Sequence, residues 1–226
     1  MLQNAERSGV MSIRNSENIW VLSGFLGITG IVAAGILALV SQITAEPIRA
    51  AGTKNELAVL KKLNLPEFDN DMTVGKISIA NVEYSAAQNK GKIVGYAAKA
   101  ACNDGYGGRI QAMISFDTEG KILAVSVLAH NETPGLGAAV CERKFQKTIF
   151  NIFSEPPEGL PPNVVLDQFH GRKAVSGCQW KIKKDGGDMI YRTGATVTSR
   201  AVTQLVSDAA ANFSAAKVRF EKEGVK

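Results

Sequence analysis

The sequence predicts an α+β protein: a single N-terminal transmembrane helix followed by a domain whose antiparallel sheet is packed by helices. Three observations carry that prediction. No charged residue falls between Ile19 and Ala45; short β-prone segments joined by turn residues fill the middle of the chain; and a long amphipathic segment closes it. The 226 residues, 45% apolar and 21% charged, suit one folded domain with a modest membrane contribution and exclude a disordered chain.

Residues 1–18 read as an N-terminal tail. The run 19–45 is long enough for one tilted helix across a hydrocarbon core of roughly 30 Å. A cleaved signal peptide would carry a shorter apolar core and a small-residue cleavage site, which Thr44-Ala45-Glu46 does not supply. Gly24, Gly27 and Gly30 lie near one helix face, where they either admit a partner helix or are ordinary membrane-helix glycines. Arg7 and Arg14 precede the span while Arg49, Lys54, Lys61 and Lys62 follow it, so charge bias does not orient the anchor.

Residues 46–75 read as a connector. A helix from Glu46 to Leu65 carries an apolar stripe of Leu57, Val59, Leu60 and Leu63 and ends before Pro66, and a polar linker follows around Asp69-Asn70-Asp71. Residues 76–226 form the domain. Strands are predicted over 76–82, 93–101, 110–116, 122–129 and 175–182, with Asp117-Thr118-Glu119-Gly120 as a hairpin connection. Helical spacing runs over 138–153, through Val140, Phe145, Ile149 and Phe153, before the proline-rich loop 155–162. The last helix, 198–221, puts Ala201, Val202, Leu205, Val206, Ala209 and Phe213 on one face.

Cys102, Cys141 and Cys178 form no CxxC pair and no histidine-containing cluster, so a metal site is not expected. At most one disulfide can form in an oxidising compartment, and a role as small buried hydrophobes is the better account. The formal charge of +5 comes from scattered basic residues without aromatic interleaving, which argues against nucleic acid.

Two turns point to chemistry. Thr193-Gly194-Ala195-Thr196 opens the last helix, where unpaired backbone N–H groups and the positive helix end suit a phosphate, making Thr196 a candidate phosphate-ester site. His130-Asn131-Glu132-Thr133-Pro134-Gly135-Leu136-Gly137 lies between a strand and a helix, with glycines that allow a flat ligand to approach the backbone. Thr133, Leu136 and Gly137 are candidate ligand contacts. Glu132 either shapes the pocket or caps the following helix, His130 either sits near the ligand or a subunit interface or is a loop histidine bonded to backbone, Arg109 and Lys184 offset phosphate charge or are solvated, and Thr198 and Ser199 cap the last helix.

The Thr-Gly-Ala-Thr turn resembles the signature at which a flavin transferase attaches FMN to threonine through its phosphate. With Gly105-Tyr106-Gly107-Gly108, Glu-Thr-Pro-Gly-Leu-Gly and Lys183-Lys184-Asp185-Gly186-Gly187-Asp188 in the same order, nearly the whole chain resembles the G subunit of the Rnf-type (Rsx-type) ion-translocating electron transport complex. The C subunit of the sodium-pumping NADH:quinone reductase shares the anchor and the flavin turn. One position departs: Ile190 stands where the transferase signature usually has aspartate, with Asp188 two positions earlier.

The resemblance implies an FMN-binding domain over 76–226 and covalent FMN on Thr196, with Thr193, Gly194 and Ala195 around the attachment point. It further implies a single-pass protein of the bacterial inner membrane with its domain in the periplasm. The implied role is electron relay within a complex coupling ferredoxin and NAD(H) chemistry to ion movement. The implied partners are the other subunits, a flavin transferase for maturation, and membrane lipid, and no autonomous catalysis is expected. The competing reading is a membrane-anchored, non-redox interaction or sensor module.

Overall fold

A computed structural model describes residues 17–144 and 159–223. Helix α1, Glu17–Leu60, passes through Pro47 and includes residues of both the predicted anchor and the predicted connector. Its stretch Leu22–Ile48 is long and apolar enough to cross a membrane, and Phe25, Ile31 and Leu37 are exposed along it. That many exposed aliphatic side chains are stable in lipid rather than water.

Contacts divide the chain into two compact units, 1–52 and 53–226. The second unit is built on a five-stranded antiparallel meander of β1 Ile77–Ile79, β2 Val82–Asn89, β3 Lys92–Gly105, β4 Gly108–Phe116 and β5 Ile122–Ala129, in spatial order β1-β2-β3-β4-β5. The predicted strand 76–82 is in fact a hairpin: Ala80 and Asn81 both take positive φ, 48° and 65°, and fold β2 back onto β1 with Ile79 opposite Val82. A two-residue turn with both φ positive matches the twist of the paired strands.

Helix α4, Thr196–Glu223, covers one sheet face. Its apolar stripe packs Val202, Leu205, Val206, Ala209 and Phe213 onto Tyr84, Ala98, Ile114 and Phe116. Phe213 stacks on Phe116 with centroids 4.6 Å apart and meets Tyr96 edge-on at 5.3 Å. The opposite face is closed by the end of α1 and the segment after it, through Leu60, Leu63 and Met72 against Ala87, Ala97, Met113 and Ala124. Ser115 fastens this layer by donating its hydroxyl to the Leu63 carbonyl at 2.6 Å. A buried Tyr84 ties the sheet to α4 by donating its hydroxyl to the Ala209 carbonyl at 2.7 Å.

Burial, with nearby Asp208 and Cys178, raises the Tyr84 hydroxyl well above its ordinary value of 10. The unfolded chain ionises first, so Tyr84 contributes fully below about pH 10 and its contribution is lost as pH rises beyond it. Tyr84→Phe is expected to cost about 1 kcal/mol at pH 7 and to flatten the fall in Tm between pH 9.5 and 11. Thermal unfolding followed by circular dichroism reads both.

Two further predicted elements are corrected. Residues 175–182 form no strand; they run as an irregular segment along α4, where the Trp180 N–H donates to Ser207 Oγ at 2.9 Å and Ser207 Oγ donates to the Cys178 carbonyl at 3.1 Å. Trp180 itself rests against Phe169 with centroids 5.8 Å apart. The predicted helix 138–153 is, over its described part, only the single turn α2, Ala138–Cys141; Glu142 is extended, and 145–153 lie outside the described residues. Asn163 ends α2 by donating Nδ2 to the carbonyls of Val140 and Glu142. Arg143 then turns inward, donating to the carbonyls of Val125 and Pro161 and pairing with Asp167 at 2.7 Å.

Candidate functional site

The start of α4 faces the loop between β5 and α2. Residues Arg192–Ala195 make a tight turn, with the Ala195 N–H donating to the Arg192 carbonyl at 3.0 Å and Gly194 at φ 84°. A turn with positive φ at its third position favours glycine there. The first helical hydrogen bond runs from the Ser199 N–H to the Ala195 carbonyl, so α4 starts at Thr196. Among the described residues no protein acceptor meets the N–H groups of Thr196, Val197 and Thr198, and no hydrogen bond engages the Thr196 hydroxyl. The end of a 28-residue helix therefore presents free donors and its positive dipole to whatever lies in front of it.

What lies in front is a cavity of about 440 Å³ lined by Tyr106, Glu132, Thr133, Leu136, Gly137, Gly194, Ala195, Thr196, Val197 and Thr198. Six of the seven residues proposed from sequence line it; Thr193 is exposed and lies outside the lining. Its mouth is apolar, with Tyr106 75%, Leu136 48% and Val197 42% exposed. A larger hollow of about 590 Å³ lies across Gly135, lined among others by Asn163, Val165, Tyr191 and Arg192. The smaller one is the candidate site because it alone meets the free N–H groups of α4 and the Thr196 hydroxyl.

Sequence reasoning did not select Tyr106, Val197 or Thr198 as ligand contacts, and it left Glu132 open between pocket wall and helix cap. Tyr106 sits at the tip of the β3–β4 hairpin, a turn whose glycines were its only signal. Glu132 is 6% exposed. It caps no helix: Oε2 accepts the Thr198 hydroxyl at 2.8 Å and Oε1 accepts the Gly107 N–H at 3.2 Å. Thr198 is thus committed to Glu132, and Ser199 donates to the Ala195 carbonyl at 2.9 Å and accepts the Arg192 N–H at 3.1 Å, so neither is the cap expected of it.

His130 is a loop histidine bonded to backbone, its Nδ1 accepting the Glu132 N–H at 3.2 Å. Arg109 and Lys184 are exposed and do not line the cavity. Asp188 pairs with Arg172 at 2.8 Å, and that hydrogen bond holds its carboxyl below the usual range. Ile190 is pinned at the backbone by Gln168, through its N–H at 2.6 Å and its carbonyl at 3.0 Å. Cys102, Cys141 and Cys178 are free; burial, with Glu132 nearby, pushes the Cys141 thiol up to about 12, which leaves it an inert core residue.

Gly137 is fixed by close approach, since a Cβ there would collide with Glu132 Oε2 and Thr198 Oγ1. Gly137→Ala is expected to cost about 1–3 kcal/mol in denaturant unfolding, because the carboxylate and hydroxyl must part.

A phosphate fits the helix end, and the apolar mouth fits a flat aromatic ring held by its tail. The FMN-binding domain family model matches residues 105–211, a range that begins at the β3–β4 turn and contains every residue lining the cavity. The chain is 31% identical to the G subunit of the ion-translocating oxidoreductase complex of Shewanella oneidensis, over 84% of this chain and 86% of the relative. The protein of the same name from Shewanella baltica is 31% identical over 88% and 91%, and that from Vibrio parahaemolyticus 31% over 80% and 82%.

Proposed function

The chain belongs to the family of ion-translocating oxidoreductase complex G subunits and is a membrane-anchored electron-transfer flavoprotein subunit; from that premise we propose that it carries its FMN covalently, as a phosphoester of Thr196. One observation carries the reading: the Thr196 hydroxyl stands beside the unpaired N–H groups of α4 on the wall of a cavity with an apolar mouth.

When bound, FMN supplies the one-electron redox chemistry of the relay. The protein supplies position and field. The N–H groups of Thr196, Val197 and Thr198 and the helix dipole hold the phosphate, and Gly194 lets the turn approach it without a side chain in the way. Thr133, Leu136 and Gly137, with Tyr106 and Val197, flank the ring, while Thr193 and Ala195 shape the turn that presents Thr196. Attachment joins Thr196 Oγ1 to phosphorus of an activated flavin dinucleotide. A nucleoside monophosphate leaves and the hydroxyl proton passes to the base of a flavin transferase, since among the described residues no histidine or carboxylate is hydrogen-bonded to Thr196 Oγ1 and the oxygens of Glu132 are engaged by Gly107 and Thr198.

The anchor 19–45 sits in the bacterial inner membrane among lipid. The connector 46–75 leads to the FMN-binding domain 76–226 in the periplasm, where a covalent tether prevents loss of the cofactor. Other subunits of the complex exchange electrons with it and form the ion path, because residues 19–45 carry no ionisable side chain for one. The test is intact mass of the full-length chain prepared with its transferase, followed by peptide mapping. An FMN-sized adduct on the peptide holding Thr196 is expected, and its fluorescence survives denaturation. A chain without the adduct, or with it on another residue, overturns the reading.

A further inference from the structure

We propose that Glu132 sets the reduction potential of the bound flavin, acting as a fixed negative charge in the wall of the cavity. The proposal rests on the reading that FMN occupies this cavity.

Burying a carboxylate is costly unless its oxygens are satisfied. Glu132 lies 94% buried, yet among the described residues no lysine, arginine or histidine pairs with it. Its two oxygens instead accept one backbone N–H and one hydroxyl, from Gly107 and Thr198. Space for it is made by glycines: a Cβ at Gly137 would collide with Oε2, and one at Gly105 would stand 2.6 Å from Oε1. Thr198 belongs to the first turn of α4, so the helix end that meets the phosphate also offsets this carboxylate.

A bond between hairpin and helix alone does not need a charge, since a neutral amide or hydroxyl would make it at less cost. A charge is useful where another charge must be opposed. Adding an electron to a flavin in this cavity adds negative charge to a site whose wall holds an anion that no cation of the described residues neutralises. The field disfavours reduction. Glu132 is therefore an electrostatic residue of the relay and holds the flavin at a more negative potential than the cavity would otherwise give.

The test compares the FMN-saturated full-length wild type with Glu132→Gln and Glu132→Asp, each titrated anaerobically with dithionite and redox mediators while flavin absorbance is read. Mass is measured first, so a wild type without adduct sinks the Thr196 reading alone, and the titration still decides Glu132. Glu132→Gln keeps the shape and loses the charge. Its equilibrium constant for one-electron uptake is expected to rise about tenfold, a shift of about 59 mV to more positive potential. Glu132→Asp keeps the charge and is expected to stay near the wild type. Equal potentials in wild type and Glu132→Gln, or equal shifts in both variants, would overturn the proposal. So would loss of bound flavin from Glu132→Gln, which would make Glu132 a holding residue.

Discussion

Replacing Thr196 by alanine is expected to leave the full-length chain folded and without its FMN-sized adduct. The fold has little to lose. Thr196 is the first residue of α4, its hydroxyl engages no acceptor among the described residues, and alanine is the better helix former. The stability change is expected within about 0.5 kcal/mol. The chemistry has everything to lose, since alanine offers no oxygen to phosphorus. The other threonines of the region supply the controls. Thr193 is exposed and outside the cavity lining, so Thr193→Ala keeps the adduct. Thr198 lines the cavity but is buried with its hydroxyl given to Glu132, and it does not take over when Thr196 is gone. Intact mass and in-gel fluorescence of the denatured chain read both variants. An adduct that persists in Thr196→Ala sinks the assignment.

The two turns that form the cavity were legible because their chemistry is local. A helix end needs no tertiary information to expose its N–H groups, and Gly194 announces its turn. The 27-residue uncharged run and the strands with β-branched residues, β4 and β5, were legible for the same reason. What failed depended on partners distant in sequence. Strand β2 carries Ser85, Ala86 and Ala87, small residues that read as no element until α4 and the end of α1 cover its two faces. Residues 175–182 alternate like a strand, yet Cys178 and Trp180 spend their backbone groups on Ser207 of α4. Glu132 stayed open between pocket wall and helix cap because Thr198, the partner that decides it, is 66 residues away. Arg143 and Asn163 stop α2 through bonds to Val125, Pro161 and each other's neighbourhood that no periodicity records.

Asn163→Ala is expected to give the largest loss of stability of any single polar substitution discussed, about 3 kcal/mol. The side chain is buried and joins two helix ends. Its Nδ2 serves the carbonyls of Val140 and Glu142 at 3.1 and 2.9 Å, at the end of α2. Its Oδ1 takes the N–H groups of Val165 and Leu166 at 3.0 and 3.1 Å, at the start of α3, Val164–Asp167. Alanine removes an N-cap, worth about 1 kcal/mol, and leaves buried carbonyls unpaired at about 1–3 kcal/mol more. For a domain of this size the Tm falls by roughly 6–12 °C. Asn163→Asp separates the halves of the role: it keeps the Oδ1 cap of α3 but turns a second anionic oxygen on the carbonyls of α2, and is expected to be at least as destabilising. The effect reaches the cavity because α2 follows Leu136 and Gly137 directly, so loosening its carbonyl end frees that wall. The adduct at Thr196 should remain, held by its bond, while flavin fluorescence rises as the ring loses its packing. Calorimetry and fluorescence of the same sample check both, and a Tm within 2 °C of the wild type would show that water replaces the amide.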